Sequence, residues 1–343
     1  MSFRALGLWL IRILAVLLVV LAIGAEFIAP NSPETQNLKQ FYAPPTRIHF
    51  VDREGRYHLR PFIYCYELTD SLNVSYQERT DTARPLEFFV RGHRYKLLGW
   101  SLDRHLIGVS GDGVFYPLGT DELGRDVLAR VMAGARTSLA VLLLGVGVYA
   151  LLGVTIGMLA GTLGGWIDSV LMRSSEFVMA LPALYLILAL QALLPVRLPY
   201  WQSLLLTVGT IAAVTWPPMA RGVRGLILQL RSAGYVEAAR SLGSTRAGIF
   251  RRHMLPALAP FVFTQAALAT PTFILGEVML SFLGAGSEST HESWGSMLQS
   301  ARDPRVVTDF WWNLTPLAFV FATLLCLNVL GNRLGRRGFT PLA

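Results

Sequence analysis

Few residues of this sequence have the types and spacing that chemistry requires. A nucleotide-binding loop of the GxxxxGK[ST] type uses its lysine to hold phosphates, but neither lysine of the sequence, Lys39 or Lys96, follows such a loop. The two cysteines, Cys65 and Cys326, are far apart, and no His or Cys cluster has the spacing of metal ligands. We therefore expect no catalytic residue, no metal site and no cofactor in this chain.

Glu277 is the one acidic residue well inside an apolar stretch of membrane length, and it precedes Ser281 by four residues. Ionisable side chains are costly within a bilayer, so an acid at this depth is a functional candidate by default. Two interpretations are open. We favour a structural hydrogen bond to neighbouring helices, and the alternative is a side chain that lines a solute pathway.

The segment from Tyr235 to Ala257, YVEAARSLGSTRAGIFRRHMLPA, is polar and lies between two apolar stretches. Arg231–Ser241 is compatible with a helix, Gly243 supplies a turn, and Ser244 or Thr245 can cap a second short helix. Small residues in it would let the backbone approach another surface, and charged residues would anchor that contact. These residues are Glu237, Ala238, Ala239, Arg240, Gly243, Arg246, Arg251 and Arg252. We predict a knob that seats in the groove of a partner protein.

Two other interpretations of this segment remain. Ala239, Gly243 and Ile249 also have the spacing of a DNA-binding helix-turn-helix, and the segment is basic. That use is disfavoured, because the bilayer would hold the segment at both ends and its arginines are what membrane topology predicts. The remaining interpretation is an ordinary basic loop.

The composition places these residues in a membrane protein, since 53% of the residues are hydrophobic, 15% are charged and the mean hydropathy is +0.46. A hydrocarbon core of about 30 Å needs roughly 20 apolar helical residues, and six stretches qualify. They are residues 8–28, 139–160, 177–194, 204–220, 260–283 and 314–330. The first also has the features of a cleaved signal sequence, but its length favours an anchor.

The arginines predict the orientation, because basic residues in short loops stay on the cytoplasmic side. In a six-span topology the basic clusters all fall on one side. They are Arg4 and Arg12, Arg173, the seven arginines from 221 to 252, and Arg333, Arg336 and Arg337. Both termini are therefore expected in the cytoplasm, and the net charge of +8 needs no nucleic-acid partner.

Residues 31–116 have soluble character and are expected to form a small β-rich cap outside the membrane. RIHFV and YHLRPFIYCYEL flank the turn-rich DREG, and PLEFFV and RYKLLG flank a second short turn at Arg91–His93, which predicts two hairpins. Fourteen aromatic residues in this stretch are too many for a flexible spacer. We favour a core and a seat on the membrane interface for them, and the alternative is a direct role in receiving a ligand.

Residues 117–139, PLGTDELGRDVLARVMAGARTSL, have the pattern of a capped amphipathic helix that runs into the second span. Thr120 is the predicted cap, and Asp121 lies in the first turn, where the helix dipole favours negative charge. An apolar face would oppose the polar residues Arg125, Asp126 and Arg130. The predicted helix lies along the outer membrane surface, either as a structural elbow or as a contact with a partner.

At Glu237, Ala238, Ala239 and Gly243, and again at Leu255 and Pro256, the chain resembles the permease subunits of ATP-binding-cassette (ABC) importers, whose cytoplasmic loop has the pattern EAAxxxG, nine residues, then IxLP. His253 stands where the general pattern has isoleucine, and RHxLP is common in the peptide and nickel branch. The GTDxxGRD signature, GEVMLSFLGAG at 276–286 and SWGSML at 293–298 are similar to the C-type subunit of that branch. The resemblance covers residues 117–338.

The resemblance implies the site residues and the architecture. The ATPase-coupling residues would be Tyr235, Glu237, Ala238, Ala239, Arg240, Gly243, His253, Leu255 and Pro256, and the signature residues of the outer helix would be Gly119, Thr120, Asp121, Gly124, Arg125 and Asp126. The implied fold is an all-α polytopic permease of the type I kind with six transmembrane helices and a β-rich extracytoplasmic insertion between helices 1 and 2. Its expected divisions are helix 1 at 1–30, the insertion at 31–116 and a core permease domain at 117–343 with a coupling loop at 221–257.

The resemblance also implies a mechanism and partners. A B-type second permease would complete the pathway, two cytoplasmic subunits would bind ATP and Mg²⁺, and an extracytoplasmic binding protein would deliver oligopeptides or dipeptides. Such a subunit sits in the bacterial inner membrane and is not itself an enzyme. Nickel or another small solute is the competing cargo, because the motifs follow the machinery rather than the cargo. A self-sufficient secondary transporter is disfavoured, since the sequence has no paired ion-binding acids and no inverted repeat.

Overall fold

The computed structural model describes residues 16, 20, 23–97, 100–111, 113–193, 198–283 and 292–338. These residues form two compact units, one containing residues up to 138 together with 290–323, and the other containing 139–289 together with the residues from 324 onward. Most of the predicted first span, residues 8–28, lies outside the described residues. Helical and sheet elements are both present, as expected.

The first unit contains a four-stranded antiparallel sheet in the order β1-β2-β3-β4. Its strands are β1 Ile48–Val51, β2 Tyr57–Asp70, β3 Ser75–Leu97 and β4 Trp100–Val109. One face packs on a small core of Ile63, Leu86 and Phe115, and Ile107 and Val109 cover the core from the side. The prediction of a β-rich insertion is therefore confirmed.

Only the first of the two predicted hairpins is correct. The DREG turn joins β1 to β2, as predicted. The predicted second turn at Arg91–His93 is wrong, because these residues lie inside β3 and the chain continues extended to Leu97. The β3–β4 pairing shifts register between Arg91 and Tyr95, so an irregularity within a long strand accommodates the glycine that suggested a turn.

The described residues contain twelve α-helical segments. They are α1 Ala25–Ile28, α2 Val127–Leu163, α3 Gly165–Ala180, α4 Ala183–Ala192, α5 Tyr200–Thr215, α6 Pro217–Arg231, α7 Gly234–Ser241, α8 Arg246–Ile249, α9 Leu255–Phe282, α10 Trp294–Met297, α11 Pro304–Thr308 and α12 Thr315–Gly338. Short 3₁₀ turns lie at Leu38–Gln40, Leu298–Arg302 and Trp311–Leu314, and a π-helical turn, Phe250–Met254, connects α8 to α9.

Three helical stretches among the described residues are long and apolar enough to cross a membrane, namely Val127–Leu163, Phe250–Phe282 and Trp311–Val329. Two bent helix pairs raise that number to five if each pair is one span. The pair α3–α4 bends by 95° and the pair α5–α6 by 52°. Both breaks coincide with prolines, Pro182 in the first pair and Pro217 in the second, which lack the amide hydrogen that a continuous helix uses.

Glycines along α2 create a close helix contact in the second unit. Gly153, Gly157 and Gly161 recur every four residues and share one helix face. A Cβ added at Gly153 would lie 2.3 Å from the Met219 side chain, and one at Gly157 would lie 2.4 Å from the Ala220 carbonyl oxygen of α6. The α2 and α6 backbones therefore approach more closely than side chains would allow, as is common where apolar helices pack in membranes.

A Gly157→Leu variant should lower the stability of the second unit. The added side chain meets a backbone oxygen that cannot rotate away, and overpacking of this kind costs about 1–3 kcal/mol. Gly147→Leu is the matched control, because Gly147 lies on the same helix and a Cβ there meets nothing within 4 Å. Thermal unfolding of the purified proteins in detergent should show a lower midpoint for Gly157→Leu only, and equal midpoints would contradict the packing argument.

Candidate functional site

Residues 234–254, the helix–glycine–helix segment, contain α7, Gly243, α8 and the π-helical turn. Gly243 has a φ of +80°, which favours glycine, and the Ser244 amide donates to the Ala239 carbonyl at 3.1 Å. This is the hydrogen bond of a Schellman cap, which ends α7. Thr245 caps α8, since its hydroxyl accepts from the Gly248 amide at 3.2 Å. The predicted arrangement of two short helices joined at a glycine is confirmed.

The segment buries one side and exposes the other. Val236, Ile249 and Met254 are buried, so they fix the segment to the second unit. Glu237, Ala238 and Gly243 are exposed, and Leu242 is 86% exposed beside the glycine. An exposed leucine next to small residues suits a knob that inserts into a groove of another protein.

The remaining predicted residues of this site lie along the same stretch of chain. Tyr235 and Ala239 are on α7, as is the backbone of Arg240, and the rings of Tyr235 and His253 lie 6.0 Å apart. His253 belongs to the π-helical turn, and Leu255 and Pro256 begin α9. The predicted residues therefore share one surface-exposed connection between α6 and α9, and Leu242 joins them although sequence reasoning did not select it.

Residues 119–126, the signature loop, are not helical. The predicted helix start at Thr120 is wrong, because α2 begins at Val127 and the Thr120 hydroxyl accepts from the Ala43 amide at 2.7 Å instead of capping a helix. Asp126 occupies the capping position, since its Oδ1 accepts from the Leu128 amide at 2.9 Å. A tertiary contact of the threonine has replaced the local cap that the sequence pattern suggested.

Both glycines of the signature loop are required by the backbone. Gly119 and Gly124 have φ values of +73° and +69°. A Cβ at Gly119 would lie 2.6 Å from the Ala43 carbonyl oxygen, and a Cβ at Gly124 would lie 1.9 Å from that of Asn37. Residues 37–43 therefore pack directly against the signature loop. No other residue type fits at Gly119 or Gly124 without displacing residues 37–43.

The charged residues of the signature loop form a buried ion cluster rather than a solvent-facing side of a helix. Arg125 Nε lies 2.8 Å from Asp121 Oδ2, and Arg125 Nη1 lies 3.1 Å from Glu292 Oε1. Arg130 contacts Asp121 as well and lies 2.5 Å from Glu292 Oε2. The predicted polar face of an amphipathic surface helix is therefore wrong, because two arginines and two carboxylates neutralise one another inside the first unit.

Asp126 lies beside this cluster and is fully enclosed. Its Oδ2 accepts from the Asn31 amide at 2.8 Å. Burial raises the pKa of Asp126 to about 7, although the hydrogen bonds from Asn31, Ala129 and Leu128 act in the opposite direction. The signature loop therefore joins residues 31–43 to the start of α2, which is a structural role.

A known protein family matches residues 153–337, just over half of the chain, and its description is "binding-protein-dependent transport system inner membrane component". The match includes the helix–glycine–helix segment and extends through α9 into α12. The chain belongs to this family. As an inner membrane component it has the type I importer permease fold with several apolar helices, and the β-rich insertion precedes the matched region.

Curated relatives of this inner membrane component carry names of peptide permeases. The dipeptide transport system permease protein DppC of Bacillus subtilis is 38% identical over 218 residues, which are 63% of this chain and 66% of that protein. The oligopeptide transport system permease protein OppC of Escherichia coli is 38% identical over 216 residues, 63% of this chain and 69% of that protein. The glutathione transport system permease protein GsiD of Pectobacterium atrosepticum is 35% identical over 217 residues, 63% of this chain and 70% of that protein.

Among solved structures, the inward-facing MetNI methionine ABC transporter matches 61% of this chain and 96% of its own chain, with 17% identity and a TM-score of 0.48.

Glu277 of this inner membrane component lies on α9 and is 4% exposed. Its Oε1 accepts a hydrogen bond from the Ser281 hydroxyl at 3.0 Å, one helical turn away. Both residues belong to α9, so the hydrogen bond to a neighbouring helix stays a prediction, as does the pathway alternative. Glu292, like Leu242, was not selected from the sequence: it directly precedes the SWGSML motif, but its partners lie more than 160 positions earlier in the chain.

Proposed function

We propose that this chain is the C-type permease subunit of an ATP-driven importer of oligopeptides or dipeptides. The observation that carries the proposal is the family match over residues 153–337, together with the names of the relatives, which are peptide permeases at 35–38% identity. Six spans, with the first at residues 8–28 and both termini in the cytoplasm, complete the proposed topology. The pathway forms with a second, B-type permease.

In the proposed mechanism the helix–glycine–helix segment is the coupling site. Two cytoplasmic subunits bind ATP and Mg²⁺ and close, and the exposed surface around Glu237, Leu242 and Gly243 rests in their groove. Their motion switches the pathway between outward and inward openings, and a binding protein delivers the peptide from outside. The chain itself binds no nucleotide and makes or breaks no bond.

Co-purification with reconstitution tests the proposal. The tagged chain should bring a second permease and two ATPase subunits out of the membrane, and the complex in proteoliposomes should take up a labelled tripeptide only with ATP and the binding protein. Transport by the purified chain alone without ATP would contradict the proposal. ATP-dependent uptake of nickel in place of the tripeptide would support an ATP-driven importer and contradict the peptide cargo.

A further inference from the structure

The sheet of the first unit has a second face that the core does not use. A cavity of about 870 Å³ lies over this face, and it is lined by side chains from β1, β2 and β3 and by the Trp311 region. Its size is within the range of pockets that enclose small ligands, which is roughly 300–1,000 Å³. The lining includes two arginines and four aromatic residues, which are Arg47, Arg53, Tyr64, Tyr66, Tyr76 and Trp311.

The aromatic wall of the cavity is held in place by hydrogen bonds at its edges. The Tyr66 hydroxyl donates to the Pro45 carbonyl at 3.3 Å, and the Tyr76 hydroxyl donates to the Phe41 carbonyl at 2.6 Å. The two rings meet edge to face with centroids 6.3 Å apart. Because both hydroxyls are already engaged, these tyrosines offer mainly ring surface, which suits apolar or aromatic side chains of a ligand.

Charged side chains of both signs line the cavity, namely Arg47, Arg53, Asp52 and Glu78. Arg47 and Arg53 line it and are exposed, and neither has an ion-pair partner in the part of the chain that the structure describes. Both cavity carboxylates already have partners in the chain, since Asp52 lies 2.9 Å from Arg56 Nε and Glu78 lies 3.2 Å from His49 Nε2. Two free guanidinium groups beside an aromatic wall are suited to a carboxylate.

The His49 imidazole is a further polar group that lines the cavity. His49 Nε2 lies 3.2 Å from Glu78 Oε2, close enough for an ion pair. It is nevertheless a buried atom without a well-aligned hydrogen bond to any described residue. If this face of the sheet rested on the membrane, a buried imidazole nitrogen would be unfavourable, because lipid tails offer it no hydrogen-bond partner. A ligand with its own polar backbone would provide one.

We infer that this cavity binds a short peptide by its free α-carboxylate, with Arg47 and Arg53 holding the carboxylate and the tyrosines and Trp311 packing on an apolar side chain. The cavity would then be a peptide subsite on the outer side of the membrane, and this assignment of side and cargo rests on the proposed function. A concave site of this volume favours a short peptide over a flat protein surface, which needs a much larger contact area.

Calorimetry on the full chain in lipid nanodiscs tests the inference, with the tripeptide alanyl-phenylalanyl-alanine as the probe. The free acid should bind saturably. Its C-terminal amide should bind with an affinity at least about tenfold lower, because a charge-assisted contact is lost. The double variant Arg47→Gln/Arg53→Gln should bind the acid as weakly as the amide. Arg79→Gln is the matched control, since Arg79 is an exposed arginine of β3 that does not line the cavity.

Equal affinity for acid and amide, or an unchanged affinity in the double variant, would overturn the inference. A double variant that loses only its affinity for the purified binding protein would replace the peptide subsite with a docking surface, which also overturns it. Unfolding midpoints equal to those of the control exclude a folding defect. Uptake without tripeptide binding to this chain would contradict the subsite and leave the proposed importer function intact. Tripeptide binding without uptake in the reconstituted complex would support the subsite and contradict the proposed importer function.

Discussion

A Gly243→Asp variant should reach the membrane in normal amounts and lose uptake of a labelled tripeptide by roughly tenfold or more, the factor that corresponds to 1.4 kcal/mol at a docking surface. A Cβ at Gly243 meets nothing within 4 Å, so this chain has room for the new side chain. Its φ of +80° adds backbone strain of only about 1–2 kcal/mol. Under the proposed coupling role, the large loss arises because a charged side chain would separate the exposed segment from the groove of the ATPase subunits.

The matched control is Gly55→Asp. Gly55 has a φ of +79° and nothing within 4 Å of a Cβ, so the strain and the open space are the same, but the residue lies in the β1–β2 turn. Co-purification of the ATPase subunits with Gly55→Asp should equal that of the unchanged protein, and this readout is independent of the proposed peptide subsite at Arg53. Membrane fractions measure insertion, and co-purification measures ATPase binding. If Gly243→Asp fails to insert, the glycine is only structural and the coupling role is lost.

An Arg130→Met variant should lose about 3 kcal/mol of unfolding free energy, because Asp121 and Glu292 keep their buried charges and only Arg125 remains to neutralise them. Arg130 is almost fully buried and contacts both carboxylates. Its removal therefore leaves negative charge at Asp121 and Glu292 that water cannot reach to solvate. A lower unfolding midpoint in detergent and a smaller amount of folded protein in the membrane are the expected results.

Arg136→Met controls for the loss of one arginine on the same helix. Its carboxylate partner, Glu26, and its own side chain are partly exposed, so the loss should stay below about 1 kcal/mol. A triple variant that also carries Asp121→Asn and Glu292→Gln should recover part of the stability, because no unpaired buried charge would remain. An Arg130→Met midpoint equal to that of Arg136→Met would contradict the cluster's role.

The sequence was informative where local chemistry decides the structure. The helix–glycine–helix segment follows from a cap that Gly243 can form and from the Thr245 cap of the next helix, both of which act within a few residues. The β-rich insertion follows from alternating residues and from the DREG turn. In each case the partners of a residue lie close to it in the sequence, so the pattern contains the necessary information.

Predictions from the sequence were wrong where contacts with distant residues determine the local structure. Thr120 has the type and position of a helix cap, but residues 37–43 take its hydrogen bonds and the helix starts seven residues later. Arg125 and Arg130 resemble the polar side of a surface helix, and only the approach of Glu292 turns them into an enclosed cluster. Such contacts depend on the fold, and a single sequence does not encode them legibly.

The glycine contact between α2 and α6 has a mechanical consequence. Met219, Val223 and Ile227 of α6 rest against glycine surfaces, and Arg231 donates to the Gly161 carbonyl at 3.0 Å at the end of the same stretch. The two helices therefore resist separation over about three turns of α6 and move as one rigid pair. Only two residues separate α6 from α7, so in the proposed coupling a displacement at Leu242 or Gly243 passes through a short connection to this helix pair.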